Sequence, residues 1–291
     1  MSEVITKTWR KLLNRPEPKK LMPSLRQTIA PEVTDFKEAP LVVEGVHRHF
    51  GSLQVLQEID FKVGTHELLS LVGPNGAGKT TLIRCLADGT ERSGGIIRVF
   101  GRDLGNWSPD RCVALGIGRK FQAANIFETL TVAECLRVSR YRLDSLPMWS
   151  ASKDLGLPEA AMRIVAETGL SDNLNLEARH LSHGQKQALE LAMVLTLEPR
   201  IVLLDEPTAG LTKVERERIG SILTSLVKRE GLSVLLIEHD LDFVRQISSR
   251  VIVLHQGRIV LDGSVKEVVG SELVREIYAG TEHGDEERGN D

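Results

Sequence analysis

Several features are scarce in this sequence. Aromatic residues fill only 4% of its 291 positions, leaving few rings to stack on single-stranded bases. Neither charge sign dominates: 37 Lys and Arg face 40 Asp and Glu, and a net charge of −3 offers nucleic acid no basic field. The three cysteines, Cys85, Cys112 and Cys135, are too few and too scattered for a disulfide or zinc framework. They read as free thiols of a reducing compartment. No apolar run approaches the roughly 18 residues that cross a bilayer. Residues 1–15 carry charges throughout and lack the apolar core of a secretory signal. The expected location is the cytoplasm, and any work at a membrane must use another chain's spanning helices. What is present, 41% hydrophobic and 26% charged residues, suits a folded chain of one large or two ordinary domains.

Residues 1–40 stand apart. Five of the eleven prolines (Pro16, Pro18, Pro23, Pro31 and Pro40) fall there and interrupt any long helix. Ile5, Trp9, Leu12 and Leu13 form a short stripe at helical spacing. The segment reads as a flexible extension, with a small basic amphipathic anchor as the alternative. From residue 41 the pattern becomes regular. Strands are expected at 41–50, 61–63, 68–72, 96–100, 201–204 and 233–237, and a hairpin at 251–261 turns on Gln256-Gly257. The runs at 201–204 and 233–237 are almost purely apolar, as in parallel strands covered on both faces. Residues 213–229 read as a charged helix and 132–168 as a helical insert. Residues 281–291 form an acidic polar tail. The fold class is α/β, with a parallel core and antiparallel additions.

The run 68–72 leads into Gly73-Pro74-Asn75-Gly76-Ala77-Gly78-Lys79-Thr80-Thr81, a G-x-x-x-x-G-K-T loop between strand and helix. The glycines let successive N–H groups point at phosphate oxygens, and the helix N-terminus adds partial positive charge. Lys79 reaches the β- and γ-phosphates, and the Thr80 hydroxyl suits a Mg²⁺ shell. The pattern signals a nucleoside triphosphate with Mg²⁺. The strand at 201–204 ends in Asp205-Glu206-Pro207, at the ligand-facing edge of a parallel sheet. There Asp205 can hold the metal, and Glu206 can take a proton from attacking water. The strand at 233–237 ends in Glu238-His239-Asp240. His239 can bond the γ-phosphate or the water, while Asp240 caps the next helix.

Leu181-Ser182-His183-Gly184-Gln185 follows the insert. Ser182-x-x-Gln185 is a capping-box pattern opening a helix with Ala188, Leu191, Ala192 and Leu195 on its apolar stripe. A hydroxyl and the Gly184 N–H at that helix start suit an anion. With the phosphate loop, this LSxGQ motif resembles the nucleotide-binding subunit of ATP-binding-cassette (ABC) transporters, over residues 41–280.

The resemblance implies a P-loop NTPase cassette with a mixed parallel core sheet, an antiparallel β subdomain and a helical subdomain at about 123–196. It implies ATP and Mg²⁺ as cofactors, and ATP hydrolysis driving transport. Phe50 matches the adenine-stacking aromatic. Gln122 matches the glutamine that touches Mg²⁺ and water and senses the membrane partner. His239 matches the switch histidine. Ser182, Gly184 and Gln185 match the signature that holds the γ-phosphate of an opposite subunit. Thr212 stands where the family usually has Asp. The implied partners are transmembrane permease subunits, a second cassette (this chain or a paralogue) and, indirectly, a solute-binding protein. Nucleic acid is not among them. The implied location is peripheral, on the cytoplasmic face of the inner membrane. The combination GRKFQ, LSHGQKQALELA and AGLT resembles urea-type importers within the branched-chain amino-acid group. Other amino acids or amides are the alternative cargo, and lipid-export or non-transport ABC ATPases are further ones.

Overall fold

The computed structural model describes residues 39–120, 126–140 and 156–278. Residues 1–38 of the N-terminal extension, Gln122 and the acidic tail lie outside the described residues. Two sheets organise the rest. The first is antiparallel, ordered β2-β1-β4-β5, with β1 Leu41–Phe50, β2 Leu53–Val63, β4 Gly94–Val99 and β5 Arg102–Asp103. The second is ordered β10-β9-β3-β8-β7-β6, with β3 Leu68–Val72, β6 Ile117–Lys120, β7 Ile201–Asp205, β8 Ser233–Ile237, β9 Arg250–His255 and β10 Arg258–Ser264. Its strands are parallel except β10, which pairs antiparallel with β9.

Every residue of β3, β7 and β8 is buried. Alternate residues serve opposite faces, as the two-residue repeat of a strand requires. Val202, Leu204, Val234 and Leu236 join a core with helices α5 (His183–Leu195) and α6 (Lys213–Glu230). Ile201, Leu203, Leu235 and Ile237 join a second core with α1 (Lys79–Ala87) and the antiparallel sheet. The central sheet therefore lies between two apolar layers, and its C-terminal edge is the place where polar chemistry can collect. The helical insert contains α3 (Val132–Arg140) and α4 (Glu159–Glu167); α2 (Pro109–Ala114) precedes β6. A short helix α7 (Leu241–Ile247) follows β8, and α8 (Val265–Gly270) follows β10. Among the described residues, no helix is long and apolar enough to cross a membrane.

Two expectations need correction, and one strand is new. The second strand begins at Leu53, not near 61, because Leu56 is buried and so is Ile59, three residues on. Glu58, at φ 48°, marks the irregularity that shifts the inward parity and hides the alternation. The strand expected at 96–100 ends at Val99; Phe100 (φ 49°) and Gly101 (φ 75°) form a tight left-handed turn into β5. Strand β6 was not expected at all. Its sequence, IGRK, is short and polar, and the buried Lys120 pairs with Glu190 at 3.1 Å. The Gln256-Gly257 hairpin forms as expected, with both residues at positive φ. The cysteines are buried core residues, and burial pushes the Cys85 thiol up to about 11, so it is poorly reactive at neutral pH.

Candidate nucleotide site

Strand β3 delivers the glycine loop to the C-terminal edge of the sheet. Gly73, at φ 151°, leaves no room for a side chain: a Cβ would run into the Leu254 carbonyl. Gly78, at φ 106°, caps α1, and a Cβ there would lie 2.9 Å from Leu56 of β2. The loop curls round its lysine. Lys79 Nζ donates to the Gly73 carbonyl at 2.7 Å and the Pro74 carbonyl at 2.9 Å. Desolvation lowers the Lys79 pKa, while the carboxylates of Glu206 and Asp205 act to raise it.

Asp205 ends β7, two strands away from the loop in the same sheet. It is 2% exposed, and its Oδ1 is buried without a hydrogen-bond partner. Desolvation, then repulsion from Glu206, raises its pKa; hydrogen bonding by Thr80 and the charges of Arg119 and Lys79 oppose the rise. A buried carboxylate oxygen with no partner, beside a threonine hydroxyl, fits a hard divalent cation with oxygen ligands.

Glu206 has φ 46°, a left-handed conformation that a glutamate adopts only where its surroundings hold it. Its N–H donates to Ile237 O at 3.1 Å, and its carbonyl accepts from Ala209 N at 3.2 Å. His239 Nδ1 lies 3.9 Å from Glu206 Oε1. Glu238 has no role expected from its sequence neighbours. That side chain is fully buried, and it accepts from Thr208 Oγ1 at 2.6 Å and Thr208 N at 3.3 Å. Burial raises its pKa, and the Thr208 bonds pull it back down. Glu238 thereby ties the end of β8 to the turn that carries Glu206. A carboxylate directly after a mostly apolar strand is its signal in the sequence.

Lys79, Thr80, Asp205, Glu206 and His239 thus share one edge of the sheet. Phe50 ends β1 in the neighbouring sheet, is 50% exposed, and has the Arg48 guanidinium 4.3 Å from its ring centroid. Gln122 is outside the described residues, two positions beyond the end of β6. Ser182, Gly184 and Gln185 form a second group at the start of α5. The expected capping box is complete: Ser182 Oγ accepts from Gln185 N, and Gln185 Oε1 accepts from Ser182 N, both at 3.2 Å. His183 Nε2 lies 3.0 Å from the Ala209 carbonyl, a contact between segments that sequence reasoning did not connect. Thr212 has a local role that accounts for a hydroxyl there: it caps α6 in a box with Glu215. Asp240 caps α7, as expected.

A lysine enclosed by a glycine loop after a parallel strand, with a metal-suited carboxylate in the same sheet, defines an α/β P-loop nucleoside triphosphatase. Within that class the chain belongs to the ABC transporter family, whose profile matches residues 56–209. The high-affinity branched-chain amino acid transport ATP-binding protein BraF of Pseudomonas aeruginosa is 32% identical over 82% of this chain and 97% of its own. LivG of Escherichia coli, described in the same words, is 30% identical over the same shares. The methionine import ATP-binding protein MetN of Brucella abortus is 34% identical over 84% of this chain and 65% of its own. Among solved structures, an ATP-binding cassette of an ABC transporter in its ADP conformation superposes with a TM-score of 0.72 at 27% identity. That match covers 84% of this chain and 100% of the other. The chain is an ABC ATPase resembling the branched-chain importer group.

Proposed function

We propose that this chain uses ATP hydrolysis to energise uptake of a small polar solute, urea above other amides and amino acids, through permease subunits fed by a solute-binding protein. Its place is peripheral, on the cytoplasmic face of the inner membrane. The observation that carries the chemistry is the pairing of the Lys79 loop with the strained Glu206 turn at one sheet edge. Lys79 would hold the β- and γ-phosphates, and Phe50 would stack on adenine. Glu206 would take a proton from water as the water oxygen bonds to the γ-phosphorus and the bond to the bridging oxygen of ADP breaks. His239 would bond the γ-phosphate. Thr80, Asp205 and Gln122 would hold Mg²⁺, which when bound neutralises phosphate charge.

The Ser182 group lacks a nucleotide partner in its own chain on this reading. It would close over the γ-phosphate of a second cassette, this chain or a paralogue, arranged head to tail. Phosphate charge then joins the halves, and hydrolysis separates them. The cassette would span 41–280, with its helical part at about 123–196 facing the permease.

For urea, the support is the set of motifs at residues 118–122, 181–192 and 209–212. The branched-chain alternative is supported by the 30–32% identity to BraF and LivG. The two separate in the intact transporter, purified with its permeases and reconstituted with its binding protein. Urea is expected to raise ATP turnover several-fold, while leucine or isoleucine leaves it at the basal rate. Stimulation by the branched-chain amino acids alone would replace urea with the alternative, and no stimulation by any solute would remove the importer role.

A further inference from the structure

We infer that His183 is a positioning residue that fastens the start of α5 to the turn at 209–212, so that the Ser182 group meets the nucleotide of the second cassette from a fixed base. The inference rests on the paired-cassette reading above.

The two segments are 26 positions apart at the contact. A carbonyl oxygen only accepts, so His183 Nε2–H donates to Ala209 O, at 3.0 Å. The ring also lies over Gly210: a Cβ there would stand 3.0 Å from Nε2. Gly210 has φ 73°, so glycine is required twice, for backbone conformation and for the ring's approach. Glu215 closes the same assembly from the other side. Its carboxylate accepts from Thr212 N at 3.0 Å and Thr212 Oγ1 at 2.8 Å. The same carboxylate sits against the Gly184 backbone, where a Cβ would collide with it. The signature turn and the 209–212 turn are therefore bonded by His183 from α5 and packed together by Glu215 from α6.

His183 is exposed in the single chain. An exposed imidazole adds little to the core, and one exposed hydrogen bond adds little to global stability. Its use is geometric. Contacts across a composite site depend on sub-ångström placement, so a turn free to drift costs far more in closure than in folding. Gly184 and Ser182 present the helix start, and His183 between them sets where that start points relative to Ala209.

The test uses the full-length Glu206→Gln chain with ATP and Mg²⁺, and follows association by light scattering. Hydrogen exchange at the Leu211 amide, which donates to Thr208 O, is read in the nucleotide-free chain. His183→Ala and His183→Asn should speed Leu211 exchange and weaken ATP-driven association about tenfold. His183→Gln places an amide N–H where Nε2 stands and should recover at least half of the association. Binding of a fluorescent ATP analogue to the single chain should change less than twofold in all three. Unchanged Leu211 exchange in His183→Ala would mean there is no fastening. Faster exchange with undiminished association would mean that the fastening does not serve the shared site. Failure of Gln to recover would mean that the donated bond is not the cause. A Glu206→Gln parent that stays monomeric with ATP, whatever residue occupies 183, would instead overturn pairing between two copies of this chain, and the association effect inferred here with it.

Discussion

Glu206→Gln is expected to lower kcat for ATP hydrolysis about 10³-fold, within the 10²–10⁴ that a positioned general base contributes. Glutamine has the same shape but does not take a proton from water. The turn that holds residue 206 is fixed by backbone bonds to Ile237 and Ala209 and by Glu238 on Thr208, none of which needs the Glu206 carboxylate. The variant should therefore fold and present its amide where the carboxylate stood. Nucleotide affinity should hold or improve. Repulsion from Glu206 is one cause of the raised pKa of Asp205. Removing that charge lets Asp205 ionise more readily and favours a bound cation. Steady-state phosphate release and equilibrium ATP binding separate the two effects. Turnover within fivefold of wild type would show that Glu206 is not the base.

Lys120→Met should cost about 3–5 kcal/mol of unfolding free energy, the penalty for removing one member of a buried ion pair. Lys120 is 1% exposed and sits 3.1 Å from Glu190, itself only 5% exposed at the side chain. Burial lowers the Lys120 pKa, and Glu190 is the first of the groups that act to raise it. The variant would leave the Glu190 carboxylate in an apolar layer without its lysine. Lys120→Met with Glu190→Met removes both charges and should recover most of the loss, because such pairs often contribute little net stability over apolar replacements. Chemical denaturation of the two single variants and the double variant completes the cycle. Near-additive losses would show that the pair is not coupled. The consequence reaches function, since β6 leads toward Gln122 and α5 begins at the signature. The pair joins the strand that runs toward Gln122 to the helix that begins beside Ser182.

The parts legible in the sequence were those whose cause is local. Strands β3, β7 and β8 announce themselves because burial on both faces demands continuous apolar runs. The loop at 73–81 and the Asp205-Glu206 pair are legible because their chemistry needs contiguous residues. The capping box at Ser182 and the cap at Asp240 follow from side chains bonding within their own first turn. What stayed hidden depends on partners far along the chain. Lys120 reads as a surface lysine until Glu190 is placed beside it. Glu238 gains its meaning from Thr208, 30 positions away, and His183 from Ala209. In β2 the hidden element is a change of inward parity at Glu58, which defeats any search for strict alternation.

On the paired-cassette proposal, each working site is built from the Lys79 loop of one cassette and the Ser182 helix of another. Mixing two disabled full-length chains, Lys79→Ala and Ser182→Arg, tests it directly. In a head-to-tail pair, one composite site receives both lesions and the other receives none. Each chain alone should show almost no ATP hydrolysis, and the mixture should regain activity from the intact site, up to about half that of wild type. A mixture as inactive as its components, under conditions where the wild-type chain turns over, would contradict the shared site.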